Sequence, residues 1–327
     1  MSDINGITIS DVFGLSQPLT KLVETVSSGI GKVYEPTHIR RMAKARTTEI
    51  ALISGAVNEN INLPMSYENG GITIDTQDAN DLVTRAQNRF LFQQMRKQQN
   101  IDAVVANAYN ELQQTKTVSN DPVDEDWINS FFDFVANISN DQMQILWGKV
   151  LAGEVEKPNS FSIRTLDILR KMTQEDARCF ASIIPFVLKC PGNKEASFYD
   201  FFIPGNMESI DSLIEKCGIY FPTIIRLDEA QLISSNSLIS VGSTLQPGDD
   251  VLFEGPSAAV RFKNNGASII GVHHSAYLLT AAGIELLPVV SGIHHQDAPE
   301  WYLQEFVTSL IGTASDSLKK ELEISFM

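Results

Sequence analysis

Cysteine is scarce in this chain and poorly placed for chemistry. Cys179, Cys190 and Cys217 are odd in number and far apart, with no CxxC pair. That argues against a disulfide framework and a thiolate zinc site, and leaves reduced thiols as the expectation. Long apolar runs are also missing. The longest uncharged stretch, "NNGASIIGVHHSAYLLTAAGI", is interrupted by Gly, Asn and Ser, so it fails the roughly 20-residue test for a spanning helix. The opening "MSDINGITISDVFGLSQPLT" lacks a basic region followed by an apolar run, so no secretory signal is expected and the expected location is the cytoplasm. Basic residues are few: 25 Lys and Arg stand against 40 Asp and Glu, for a net charge of -15. Residues 1–118 are near balance, with 11 basic and 12 acidic, whereas 119–215 carry 8 against 16 and 216–327 carry 6 against 12. The last two thirds should therefore repel phosphate backbones and anionic lipid.

Catalytic signatures are equally sparse. "GIGK", Gly29 to Lys32, lacks the preceding strand, the full glycine spacing and the following hydroxyl of a phosphate loop. No Gly-x-Ser-x-Gly elbow or Cys/His nucleophile pattern is present. The acids Asp124, Glu125 and Asp126 are explained as helix-start charges without a bound magnesium ion. His273 and His274, and likewise His294 and His295, are adjacent pairs. On a strand, adjacent side chains point to opposite faces, so His273 and His294 are the sort of single members that a metal site would have to draw on. The expectation is no metal, no cofactor and no catalytic residue, with an enzyme disfavoured.

Helical patterning fills what remains. Leu19, Leu22, Val23, Val26 and Ile30 recur at helical spacing after Ser16 and Pro18. A second amphipathic helix is expected after Thr37, with an apolar stripe opposite a basic strip of Lys32, Arg40, Arg41, Lys44 and Arg46. That strip is the place to seek a polyanion or a membrane surface. "MSYENGGITID" reads as a small hairpin or a long loop. Asp78 to Gln114 contains no Pro or Gly and predicts one long helix, or two with a break near Asn100. "DEDWINSFFDFVANI" predicts another helix, after which Ser139 with Gln142 and Thr173 with Asp176 have capping-box spacing. Ser160 is expected to cap "FSIRTLDILRKM". The core residues Trp127, Leu146, Trp147, Leu151, Phe161, Leu166, Leu169 and Phe180 are expected to form the seam of three antiparallel helices.

Beyond Cys190 the pattern changes. Two helices, "SIDSLIEKCG" and "FPTIIRLDEAQLIS", precede β-favouring runs separated by "QPGDD" and "KNNG", and "APEWYLQEFVTSLIG" closes with a helix. Helices followed by a β-ribbon and a returning strand is a winged-helix order, and "YLLTAAGIELLPVV" resembles the close of a wing strand. Arg226, Arg261 and Lys263 would be its contacts to a partner. The expected fold class is mainly α with a smaller α+β part. The expected domains are an amphipathic and long-helix region at 1–118, a central antiparallel helical core at 119–190 and a winged-helix-like domain at 191–327.

The centre of the chain also carries a family pattern. Leu146-Trp147, Leu151-Ala152-Gly153-Glu154, Pro158, Ser160-Phe161-Ser162, Arg164-Thr165-Leu166, Leu169 and Gln174-Glu175-Asp176-Ala177 make up its core. "GIGKVYEPTHIRRMAKA", "RAQNRF" and "NDPVDEDWI" extend it. The segment resembles bacterial proteins catalogued as domain of unknown function 2806, and is more distantly similar to the Abi-alpha proteins of abortive infection. The resemblance implies no activity, and the helical core it covers reads as scaffold. Together with the missing catalytic pattern it points to a non-enzymatic interaction protein, a sensor or effector in anti-phage defence, with a protein partner; the long helix from Asp78 to Gln114 and the two amphipathic opening helices suggest a homo-oligomer. The alternatives are a winged-helix DNA-binding regulator, disfavoured by net charge, and a membrane-active effector working through the N-terminal amphipathic helices without a transmembrane segment.

Overall fold

The computed structural model describes residues 16–30, 65–68, 71–74, 82–190, 201–205, 213–256, 258–291, 298–299, 301–312 and 320–327. By contact density the chain forms two compact units, Met1–Arg170 and Lys171–Met327. The first is helical and the second combines helices with an antiparallel sheet.

In the first unit, helix α1 (Gln17–Ile30) has Pro18 in its first turn and buries Leu19, Leu22, Val23 and Val26. Strands β1 (Met65–Glu68) and β2 (Gly71–Ile74) form the expected hairpin, pairing antiparallel from Met65 with Ile74 to Glu68 with Gly71. Helix α2 (Leu82–Leu112) is continuous over 31 residues, about 46 Å long. No break occurs at Asn100, because its side chain is buried and used: Nδ2 donates to the Ala136 carbonyl at 2.8 Å, and Oδ1 accepts from Gln144 Nε2 at 3.4 Å.

Helix α3 (Glu125–Val135) is capped by the Asp124 carboxylate, which accepts from the Trp127 N–H, and Glu125 and Asp126 fill the first turn. The acidic run is thus a helix start, where carboxylates meet the positive end of the helix dipole. Helix α4 (Asp141–Glu156) is capped by Asn140 rather than Ser139; the Asn140 oxygen accepts from Met143 N–H at 3.1 Å. Packing also departs from the expected seam of consecutive helices. Helix α4 lies against the long α2, where a Cβ on Gly148 would stand 2.4 Å from Asn107 Cβ, so only glycine permits the approach. Lys149 and Glu111 bridge the same pair of helices at 3.4 Å. Trp127 stacks on Phe131 at 5.1 Å, and Phe131 meets Trp147 edge-on at 5.4 Å. Leu146, Leu151, Phe161, Leu166 and Leu169 are buried with them.

The turn from α4 into α5 (Ile163–Lys171) is organised by a buried charge. Glu154 is 1 % exposed. Its Oε1 accepts from the Asn159 N–H at 2.6 Å, and its Oε2 accepts from the N–H groups of Ser160 and Phe161, both at 3.1 Å. Asn159 takes a left-handed φ of 67°. Phe161 then presents its carbonyl to Trp127 Nε1 at 2.7 Å. Ser160 is consequently not the cap of α5. Its N–H is held by Glu154, and Ser162 Oγ instead accepts from Thr165 N–H at 3.2 Å.

In the second unit, α6 (Gln174–Ile183) begins with the expected Thr173–Asp176 capping box. Phe180 is buried in this unit, apart from the other seven expected core residues. Strands β3 (Leu188–Lys189) and β4 (Phe201–Pro204), helices α7 (Leu213–Lys216) and α8 (Phe221–Glu229), and strands β5 (Ile233–Leu245), β6 (Asp250–Glu254), β7 (Ala259–Asn264) and β8 (Ile270–Leu279) follow. Helices α9 (Ala281–Ser291) and α10 (Trp301–Gly312) and strand β9 (Leu322–Phe326) complete the unit. The sheet order is β5-β8-β4-β3-β6-β7-β9, and each pairing is antiparallel.

The "LTAAG" stretch has a structural explanation. Thr280 Oγ accepts from Gly283 N–H at 3.1 Å and so caps α9, while the Thr280 N–H donates to the Leu232 carbonyl at 3.0 Å. A Cβ on Gly283 would fall 2.1 Å from that same carbonyl, so glycine is required there. Phe202, Phe253, Phe262 and Phe306 form the aromatic core, with ring centroids 5.3–6.4 Å apart. The Tyr302 hydroxyl donates to the Phe186 carbonyl at 2.7 Å, and burial pushes its pKa well above the ordinary value.

Glu154→Gln keeps the shape of the side chain but turns an amide NH2 toward backbone N–H groups. It should lower the unfolding free energy by about 2–3 kcal/mol, the scale of lost hydrogen bonds to a charged group. Denaturant unfolding measures this, and a change under about 0.5 kcal/mol, typical of a surface site, would contradict the role.

Candidate functional site

The first unit carries an open groove of about 890 Å³ between one face of α1, the segment from Val118 to Glu125, and Asn159. Helical spacing explains the α1 wall: Gln17, Thr20, Lys21, Glu24 and Ser28 repeat on the side opposite the buried Leu22, Val23 and Val26. The second wall is folded by short hydrogen bonds. Ser119 N–H donates to the Glu156 carbonyl at 2.9 Å, and Ser119 Oγ donates to Asp121 Oδ2 at 2.9 Å. The walls are tied together by Lys21 Nζ, which donates to the Ser119 carbonyl at 2.7 Å, and by Gln17 Nε2, which donates to Asn120 Oδ1 at 3.1 Å. At its far end Asn159 is held in place by Glu154.

Charge in the groove is one-sided. Among the described residues that line it, Glu24, Asp121, Asp124 and Glu125 supply four carboxylates against the ammonium of Lys21, a difference of -3. Burial lowers the Lys21 pKa, and the nearby Asp121, Glu154 and Glu24 oppose that effect. Two of the hydroxyls are committed to α1: Thr20 Oγ donates to the Ser16 carbonyl at 3.2 Å, and Ser28 Oγ to the Thr25 carbonyl at 2.8 Å. Among the described residues no histidine or cysteine lines the groove. The arrangement offers carboxylate and carbonyl acceptors to a polar or cationic partner, without a nucleophile paired to a base.

The expected contact residues are distributed elsewhere. The basic strip of Lys32, Arg40, Arg41, Lys44 and Arg46 lies outside the described residues. In the second unit, Arg226 on α8 donates to Asp176 Oδ1 at 3.0 Å, and Arg261 on β7 pairs with Asp250 at 3.2 Å. Lys263 is exposed on β7, in register with Asp250. Two of these three cations therefore face a carboxylate of the same unit. His273 and His274 stand on β8 in register with Gly242 and Val241, and His294 lies outside the described residues. Among the described residues no group of three His, Cys, Asp or Glu could hold a metal ion. Burial pushes the Cys217 thiol up to about 12, and burial followed by Glu175 raises Cys179, the opposite of an activated nucleophile.

The groove itself was missed from sequence, because it is assembled by α1 and a linker about 100 residues later. Its one legible signal is the polar composition of "TKTVSNDPVDED".

The model of the family described as "Protein of unknown function (DUF2806)" matches residues 84–304, more than half of the chain. The chain belongs to the DUF2806 family. No curated protein and no solved structure matches it significantly. The match begins within α2 and includes the Glu154 turn, the Asp176–Arg226 pair and the β5–β8 ladder. Of the groove, it includes the wall from Val118 to Glu125 and Asn159 but not α1.

The Asp176–Arg226 pair gives a pH signature. Burial raises the Asp176 pKa, but hydrogen bonds from the Thr173 backbone, the Thr173 hydroxyl and Arg226 outweigh it, and the net shift is downward. A carboxyl with a depressed folded pKa stabilises fully above its unfolded value, here 3.8, and that contribution is lost as pH falls through the folded pKa. The stability difference between the wild type and Asp176→Asn should be flat from about pH 5 to about pH 8 and shrink below 3.8. Denaturant unfolding across pH measures it, and a difference that grows on acidification would contradict the assignment.

Proposed function

We propose that this DUF2806 protein is a non-enzymatic interaction protein whose first unit receives a cationic or polar protein partner in the acidic groove. The observation that carries the reading is the groove's chemistry: four carboxylates line it, and its lysine and two hydroxyls already donate to protein carbonyls. Such a surface suits recognition, and among its described residues no nucleophile is paired with a base. An abortive-infection type of defence against phage is the proposed setting; it rests on the resemblance to Abi-alpha proteins read in the sequence motif from Leu146 to Ala177, which the family match does not itself carry. The membrane-active alternative is weakened at its first helix, because the apolar face of α1 is buried within the unit. Among the described residues no helix is long and apolar enough to cross a membrane.

Expression in a naive host tests this reading. Plating efficiency should fall by an order of magnitude or more for at least one member of a broad phage panel. The double charge reversal Glu24→Arg/Glu125→Arg, at exposed positions, should abolish that protection while the chain stays folded, with the thermal transition lowered only by the few degrees that a cation at the start of α3 costs. Unaltered plating across the panel would count against the setting, and full protection by the double variant would count against the groove.

One observation favours a second reading, a winged-helix DNA-binding regulator. Helices α6, α7 and α8 precede a long antiparallel β5–β8 ladder, with the β6–β7 pair inserted between the two strands. The pairing of Arg226 with Asp176 and Arg261 with Asp250 weighs against it, since a DNA reader presents unpaired cations to phosphate. A low-salt shift assay on duplex DNA separates the readings. The interaction-protein reading predicts nothing tighter than weak non-specific binding, and a tight, sequence-selective complex would favour the regulator.

A further inference from the structure

Among the described residues the sheet of the second unit ends at β9, and the hydrogen-bond pattern fixes which backbone groups of that strand point away from β7. Met327 and Ala259 exchange both hydrogen bonds, N–H to carbonyl at 2.8 and 2.9 Å, and Asn265 N–H donates to the Glu321 carbonyl at 2.9 Å. Hydrogen-bonded pairs alternate along an antiparallel ladder, so Glu323 and Ser325 also bond toward β7. The N–H and carbonyl groups of Leu322, Ile324 and Phe326 therefore point away from β7. Among the described residues no strand pairs with that edge.

The side chains of the same three residues continue the core face. Phe326 is opposite Val260, Ile324 opposite Phe262 and Leu322 opposite Asn264, and all three of these β7 residues are buried. Cross-strand partners share a face, so the apolar row of β9 extends the core layer to the sheet boundary. There Phe326 is left 50 % exposed. Open edges of this kind are ordinarily blunted by a charge or a proline. Between Leu322 and Phe326 the only charge is Glu323, whose partner on β7 is Lys263 and whose Oε2 accepts from Asn265 Nδ2 at 2.7 Å.

We infer that β9 pairs antiparallel with β9 of a second copy of this chain, in a register centred on Ile324. Two-fold symmetry allows only registers in which a residue meets its own counterpart. Centring on Glu323 sets two like carboxylates opposite each other. Centring on Ser325 pairs Glu323 with Met327 and leaves Leu322 without a counterpart among the residues of β9. Centring on Ile324 sets Ile324 against itself, Leu322 against Phe326 and Glu323 against Ser325. No like charges then oppose, every open backbone group on Leu322, Ile324 and Phe326 finds a partner, and about six inter-strand hydrogen bonds form. The apolar row becomes continuous across the two copies, covering Phe326. This association is independent of the groove in the first unit.

Sedimentation equilibrium of the full chain should give twice the chain mass of 36.1 kDa. Ile324→Pro removes an N–H that β7 does not use, so the unit keeps its own ladder while association weakens about tenfold or more. Circular dichroism should confirm that this variant remains folded. Ile324→Cys supplies an independent readout: the two-fold pair would place the Cα atoms about 5.5 Å apart, within disulfide range, so mild oxidation should cross-link the dimer. Wild type treated identically, and Ser325→Cys, should cross-link far less. A monomer at all concentrations, a dimer unaffected by Ile324→Pro, or equal cross-linking at 324 and 325 would overturn the inference.

Discussion

A buried carboxylate is costly unless its oxygens find donors, and Glu154 finds three on one short turn. Those bonds hold Asn159 in a left-handed conformation that few side chains adopt readily. They set the direction in which the chain enters α5, and they bring the Phe161 carbonyl to Trp127 Nε1. Trp127 in turn stacks on Phe131, which meets Trp147 on α4. The aromatic core of the first unit and the end wall of its groove thus share one electrostatic anchor. The same charge acts on Lys21, which ties α1 to the opposite wall.

This arrangement accounts for the absence of an obvious catalyst in the most patterned part of the sequence. Glu154, Asp124 and Asp176 are the kind of acidic residues that invite catalytic readings, yet each accepts backbone N–H bonds at a turn or helix start. Of the groove acids, Asp124 caps α3 and Asp121 accepts from Ser119, while Glu24 and Glu125 stand exposed beside them, so that the four give that face one sign of charge. Charge in the second unit is handled differently, with Arg226 and Arg261 set against neighbouring carboxylates. Both of these arginines are thus engaged by carboxylates of their own unit.

Local chemistry was readable from sequence where one residue type had one good solution. The Thr173–Asp176 box, the long α2, the β1–β2 hairpin, the membership of the DUF2806 family and the mainly helical class with a smaller β part all belong here. Readings failed where two neighbours competed for one role. Ser139 and Asn140 both can cap a helix, and Asn140 does so; Ser160 and Ser162 compete similarly, and Glu154 decides the outcome by holding the Ser160 N–H. Asn100 resembles a helix breaker by composition, but its amide is satisfied by Ala136 and Gln144, contacts no local window contains. The partner of α4 was hidden for the same reason, since Gly148 signals a close approach without saying to what. The groove draws on residues about 100 positions apart, and the edge of β9 depends on which strand it joins.

Hydrogen exchange at three amides tests the central role of the Glu154 anchor most directly. If the turn is the anchor of the first unit, the N–H groups of Asn159, Ser160 and Phe161 open only when the unit unfolds. They should then be protected as strongly as the amides of the buried Leu166 and Leu169 on α5. Exchange at rates typical of an exposed loop, while those helix amides stay protected, would show that the turn opens on its own and would contradict the account.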